Sequence, residues 1–176
     1  KYVYVLQGVL RGVNSLERRV GSAAAAALVA QFFNVARNIA YKHDAVIDRP
    51  RDGSALPGAI SEGNTEPGDI VDPVAAAGGG AIADANVLRI VVGLPLASED
   101  DATRAISLAL ALVDALDGIG SDVEPELRLA VAIQRGTALV AKKRAGRRMS
   151  DGFDIEETTA AFAQKLASQA RGAEIL

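Results

Sequence analysis

Apolar positions recur along this chain in two rhythms, one of strands and one of helices. Residues 2–10, YVYVLQGVL, are a nearly unbroken run of Val, Tyr and Leu and predict a buried strand. NSLE at 14–17 then reads as a capping box, with Asn14 as N-cap and Glu17 three residues on. Gly21 ends that short helix and Ser22 can cap a second. Across 23–42, Leu28, Phe32, Ala36, Ile39 and Ala40 fall on one helical face. DAVIDR (44–49) and NVLRIVVGLP (86–95) predict two further strands. In LASEDDATRAISLALALVDAL, Ser98 is the expected N-cap. Glu99, Asp100 and Asp101 suit the positive end of the helix dipole, and Ile106, Leu110, Val113 and Leu116 form the expected apolar stripe.

The strand rhythm returns in ELRLAVAIQ (126–134), where Leu127, Leu129, Val131 and Ile133 point one way. Arg135-Gly136 is a turn candidate, and TALVA (137–141) the returning partner strand. The basic KKRAGRR (142–148) is a loop or hairpin tip. A helix from about Thr158 ends near Gly172, and EIL begins a last strand. Between 50 and 83 the texture changes: prolines at 50, 57, 67 and 73, many glycines and several carboxylates predict a long mobile insertion within one domain spanning 1–176. The order is β-α-α-β, long loop, β-α-β-β, loop, α-β. It predicts an α+β fold, with an antiparallel-rich sheet and helices packed on one face.

Composition narrows the chemistry. The chain has 176 residues, 49% apolar and 23% charged, which fits one globular domain with a real core. A net charge of −3 implies no whole-chain pull toward nucleic acid or membrane. Without Cys there is no disulfide or thiolate metal site, and the single His43 cannot anchor a His-rich zinc site. SAAAAALVAQFF gives way to Asn34, Arg37 and Asn38, short of the roughly 20 apolar residues that a membrane helix needs. The chain opens at Lys1 directly into a strand-like run with no signal peptide, so a piece of a longer, cytoplasmic protein is expected. AAAGGGA lacks the Lys-Ser/Thr ending of a P-loop, and GNTEPGDIVD lacks EF-hand spacing. Successive carboxylates at 99–101 do not converge on one ion, and Glu156 and Glu157 read as a helix start rather than an acid/base pair. His43 reads as a helix C-terminal cap.

The fragments LRGVNSLERRVG, HDAVIDR, VVGLPLASEDDATRAISLALAL, LRLAVAIQRGTALVA and TTAAFAQKLASQARGAEIL, in this order and spacing, resemble the class III adenylate/guanylate cyclase homology domain, built on a ferredoxin-like core. The resemblance covers almost the whole chain outside 50–83. In that family a 3′-hydroxyl attacks an α-phosphate and pyrophosphate leaves. Two metal ions are held by two aspartates, one at the end of the first strand and one in the turn between the second and third. A Lys helps select the base, and an Asn and an Arg on the late helix orient ribose and stabilise charge on phosphate.

Carried over residue by residue, the resemblance implies a site stripped of its reacting groups. The family's Asp-x-x-Gly-Phe-Thr falls on 9–14, so the first metal aspartate is Val9, which has no lone pair to offer. The Gly-Asp of the second metal site falls on Ala85-Asn86, with Asp84 nearby, and Asn86 offers one neutral carbonyl oxygen. Arg49 stands at the base-contacting Lys. On the late helix the Asn becomes Ala161, and the Arg becomes Lys165, which keeps charge but loses the bidentate fork. No metal, cofactor or cyclase activity is therefore expected. One function reading is a non-catalytic interaction or regulatory module in signalling. It would form a homodimer or pair with a different domain through Val9, Val13, Ala160 and Ala161, and neither nucleic acid nor membrane is an expected partner. The alternative is a nucleotide sensor or altered cyclase that holds phosphate with Arg49 and Lys165, against the plain reading of both as solvated side chains.

Overall fold

In this computed structural model, residues 1–48, 86–120, 127–140 and 153–176 are described. The apolar run at the start of the chain forms β1 (Tyr2–Arg11), the middle strand of a sheet. A tight reversal leads into α1 (Val13–Val20) and α2 (Ser22–Lys42), and the short β2 (Val46–Ile47) follows. Then come β3 (Val87–Val92), α3 (Asp101–Gly120), β4 (Arg128–Val140), β5 (Phe153–Ile155) and α4 (Glu157–Gln169). Among the described residues the strands run in the order β2-β3-β1-β4-β5, every neighbouring pair antiparallel. β1 pairs with β4 from Tyr2↔Thr137 to Arg11↔Arg128 and with β3 from Tyr4↔Val92 to Val9↔Val87. The chain end lies parallel beside β4: Ile175 bridges Val131, and the Leu176 N–H donates to the Val131 carbonyl at 2.9 Å. This is the α+β arrangement the sequence predicts, and EIL does return to the sheet.

Three local expectations are corrected. Arg135-Gly136 is not a turn, because β4 continues through it, with Gly136 opposite Val3. Gly136 is there for close approach: a Cβ on it would lie 2.2 Å from the Thr159 side chain, so α4 can cross β4 only where a side chain is missing. Asn14 does not cap α1. Gly12 holds that position at φ +88°, a left-handed backbone that lets the chain reverse out of β1, and its carbonyl accepts from the Ser15 and Leu16 N–H groups. Ser22 is the first residue of α2, and Gly21 occupies the N-cap.

The helices do not share one face. Leu6 and Leu10 of β1, Ile90 of β3 and Leu129 of β4 meet α1, α2 and α3 in the larger core. Val3 and Val5 of β1, Val91 and Ala138 face the other way and meet Ala163 of α4. Two-sided burial is why β1 reads as a continuous apolar run. The apolar stripe of α3 is also rotated from the expected one. Ala105, Leu108, Ala109, Leu112 and Leu116 are buried, whereas Ile106 and Leu110 are each 52% exposed. The alanines let α3 sit close to the sheet and α2, and that contact sets the rotation. Each fully buried Leu contributes about 2 kcal/mol of transfer free energy. α2 keeps its expected face, with Phe32, Ala36 and Ala40 buried and Leu28 and Ile39 packed beside them. It runs on to Lys42, so by length and composition it is long and apolar enough to cross a membrane, which the interruption at Asn34 does not prevent.

Polar clasps fix the helix ends. Asp101, 3% exposed, accepts from the Ser98 N–H at 2.6 Å and from Arg104 at 3.0 Å. Arg104 also donates to the His43 carbonyl at 2.7 Å, joining the start of α3 to the end of α2, where His43 is the C-cap as expected. The Arg11 Nη2 donates to the carbonyls of Ala167, Ser168 and Ala170, the unsatisfied acceptors at the end of α4. At the other end of α4, Glu156 accepts from the Thr137 hydroxyl at 2.7 Å. That bond, with a second from Thr158, holds the Glu156 carboxyl below the usual carboxylate range. The stabilisation is therefore present above the ordinary carboxylate pKa and is lost as pH falls through the lowered one.

Two outcomes follow. Gly136→Ala overpacks the α4 contact and should lower stability by about 1–3 kcal/mol in denaturant titration, partly restored by adding Thr159→Ala. An unchanged midpoint would show that α4 does not bear on β4 here. Arg11→Ala should cost about 1–2 kcal/mol and speed hydrogen exchange in the last turn of α4 while 105–112 stay protected. Equal loss in both helices would contradict the capping role.

Candidate functional site

The end of β1 is where the chain gathers polar groups. β1 stops at Arg11, Gly12 turns the backbone, and α1 begins with Asn14 and Ser15 exposed on its first turn. Across from this turn lies the head of β3. The Asn86 carbonyl accepts from the Leu10 N–H at 2.9 Å, one step beyond the Val9↔Val87 pair. Between them opens a cleft of about 380 Å³, lined by Leu10, Arg11, Gly12, Val13, Asn14, Ser15, Arg18 and Asn86. Arg18 is exposed and donates from Nε to the Asn14 carbonyl at 3.2 Å. The structure therefore brings Val9 and Asn86, the two positions matched to metal aspartates, to adjacent strand ends.

The described donor set at this end does not by itself suit a divalent cation. Among the described residues the cleft lining includes two arginines, two asparagines and a serine, and no Asp or Glu. Mg²⁺ needs hard oxygen ligands and is held in proteins mainly through carboxylates. Among the described residues no group of three His, Cys, Asp or Glu side chains converges. Asp84 and Ala85 lie outside the described residues.

α4 supplies the neighbouring wall. It starts over Gly136 near one end of β1 and finishes at Arg11 near the other, with Thr159, Ala163 and Ala167 facing the sheet. Ala161 and Lys165 are exposed on its outer side, Ala160 is half-buried, and Phe162 is 50% exposed. Val9 is half-buried. Val13 is different from the other expected interface residues: it is 5% exposed and packs with Leu16 and the sheet in the larger core, so its side chain is not offered to a partner. The expected phosphate pair is not joined by any described geometry. Lys165 stands exposed on α4, and Arg49, the insertion at 50–83 and KKRAGRR lie outside the described residues.

Sequence reasoning missed a buried polar link on the face of β1 that carries Val5. Gln7 is 0% exposed; its Oε1 accepts from the Arg89 Nε at 2.9 Å, and the Arg89 Nη1 pairs with Asp48 at 3.3 Å. The link ties β1, β3 and the residue after β2. Its Gln7 Nε2 has no hydrogen-bond partner among the described residues. The signal was present as single polar residues inside YVYVLQGVL and NVLRIVVGLP, but pairing them needs the strand register. Nothing in the sequence pattern singles out Arg11 or Arg18, which only the folded β1–α1 turn brings to the cleft.

No family model matches the sequence, and no curated protein matches it. Solved structures do match. The adenylyl cyclase CyaB from P. aeruginosa aligns with 99% of this chain and 75% of its own, at 18% identity and a TM-score of 0.68. The guanylyl cyclase Cya2 aligns with 99% of this chain and 73% of its own, at 15% identity and a TM-score of 0.62. The dimeric guanylyl cyclase domain of the RhoGC fusion protein from the aquatic fungus Blastocladiella emersonii aligns with 99% of this chain and 77% of its own, at 12% identity and a TM-score of 0.65. The sheet order, the helices on its two faces and these alignments agree: the chain has the fold of an adenylyl/guanylyl cyclase domain.

Proposed function

We propose that this chain is a cyclase-fold domain without cyclase chemistry, and that it works by association in a signalling protein. It pairs through α4 and the adjoining end of β1, with a second copy or with a different domain, and passes on the geometry of that pairing. The observation that carries the reading is the make-up of the β1–α1 cleft, whose lining among the described residues includes Arg11, Arg18, Asn14 and Asn86 and no Asp or Glu. Val9 and Ala161 extend it, since neither can replace the groups that the cyclase resemblance implies at those positions.

The α4 surface supports association. Ala160, Ala161 and the half-exposed ring of Phe162 lie together on one stretch of helix. Small and aromatic residues lower the cost of desolvating a surface on contact. A two-fold pairing of identical surfaces is the commonest arrangement for such a face. One structural neighbour is described as dimeric, and the guanylyl cyclase domain of the same fusion protein is also described as monomeric. Pairing of this chain is a modest equilibrium, which tethering in a longer chain would raise.

Sedimentation across a concentration series should show a reversible dimer. Ala161→Glu or Phe162→Glu, both at exposed positions, should weaken it by about tenfold or more, equivalent to about 1.4 kcal/mol. A dimer that survives both changes would place association on another face. A chain that remains monomeric throughout would leave only a different domain as partner.

A further inference from the structure

Glu157, Ala161 and Lys165 stand at four-residue intervals on α4, and all three are exposed. Thr159, Ala163 and Ala167 are buried against the sheet, so 157, 161 and 165 follow one another along the opposite side of the helix. Ala161 is the midpoint, with about 6 Å of helix between it and each charged residue. The half-exposed ring of Phe162 lies beside it. Among the described residues, the ion pairs engage neither Glu157 nor Lys165. The outward ridge of α4 is thus negative at one end, positive at the other and small in the middle.

We infer that α4 pairs antiparallel with α4 of a second copy, about a two-fold axis at Ala161, with Glu157 of each chain against Lys165 of the other. Such a ridge is complementary to itself only when reversed. A two-fold axis at right angles to a helix reverses its partner, so the residue four before Ala161 meets the residue four after it. Two identical ion pairs then form, one at each end of the contact. A parallel pairing sets Glu157 against Glu157 and Lys165 against Lys165, and like charges oppose it. The methyl group of Ala161 lets the two backbones approach to the interaxial distance of about 8–10 Å at which helix ridges interlock. Phe162 supplies apolar area on the flank. The inference rests on the association reading and narrows it to one partner and one orientation.

The test is sedimentation of the full chain and its charge-reversed variants. Glu157→Lys and Lys165→Glu each put two like-charge contacts into a homodimer and should weaken it by about tenfold or more. An equimolar mixture of the two variants should recover the native affinity, because every contact between unlike chains is again opposite in sign. The chain has no Cys, so cross-linking gives a second reading. Ala161→Cys should oxidise to a covalent dimer, since facing Cα atoms at such a crossing lie about 4–6 Å apart, within disulfide reach. Arg171→Cys, exposed beyond the end of α4, should cross-link far more slowly. Circular dichroism reports folding, and if a charge reversal unfolds the chain the two cysteine variants decide alone. Charge variants that leave the dimer unchanged, or that weaken it without recovery on mixing, would overturn the arrangement while association itself stands. So would Arg171→Cys linking as fast as Ala161→Cys. A native chain that stays monomeric throughout would also overturn it and leave a different domain as the partner.

Discussion

Everything in this domain hangs from β1, which is hydrogen-bonded along both edges and covered on both faces. β3 and β4 take up its backbone groups, α1 to α3 cover one face, and α4 covers the other. A strand so enclosed has no edge to solvate, and every side chain must suit its own side. Val3 and Val5 face α4, while Leu6 and Leu10 face the larger core. The one fully buried polar residue on it, Gln7, is bonded to Arg89.

That enclosure also decides where chemistry can occur. Among the described residues, the end of β1 at Arg11 and the Gly12 reversal borders a cleft lined by polar side chains. The same residue that closes the strand, Arg11, clamps the end of α4. Arg11 both lines the cleft and bonds the end of α4, so one side chain touches both. For a domain that works by association, this gives a short route from a contact on α4 to the β1–α1 turn.

The parts of the fold that were legible in the sequence are those set by local burial. β1 announced itself by an unbroken apolar run, the first half of β4 by alternation at Leu127, Leu129, Val131 and Ile133, and α2 by its spaced Phe32, Ala36 and Ala40. The parts that were not legible depend on partners distant in sequence. Gly136 carries the same residue signal whether it makes a turn or admits Thr159, and only the docking of α4 decides. In α3 the larger residues Ile106 and Leu110 suggested the wrong stripe, because close packing favours Ala105 and Ala109. β5 is too short to show a rhythm of its own. For the site, the resemblance led to the β1–α1 turn and to Asn86, which the structure does bring together. It did not foretell that Val13 would be taken into the core, nor that two arginines would line the cleft.

The central claim is that a cyclase fold persists here without cyclase chemistry. The most direct measurement is product analysis by mass spectrometry, after incubating concentrated chain with ATP or GTP and either Mg²⁺ or Mn²⁺. The account predicts no cyclic nucleotide above a protein-free blank. Formation of cyclic AMP or cyclic GMP at a turnover of about 1 s⁻¹ or more, the ordinary range of enzymes, would contradict it.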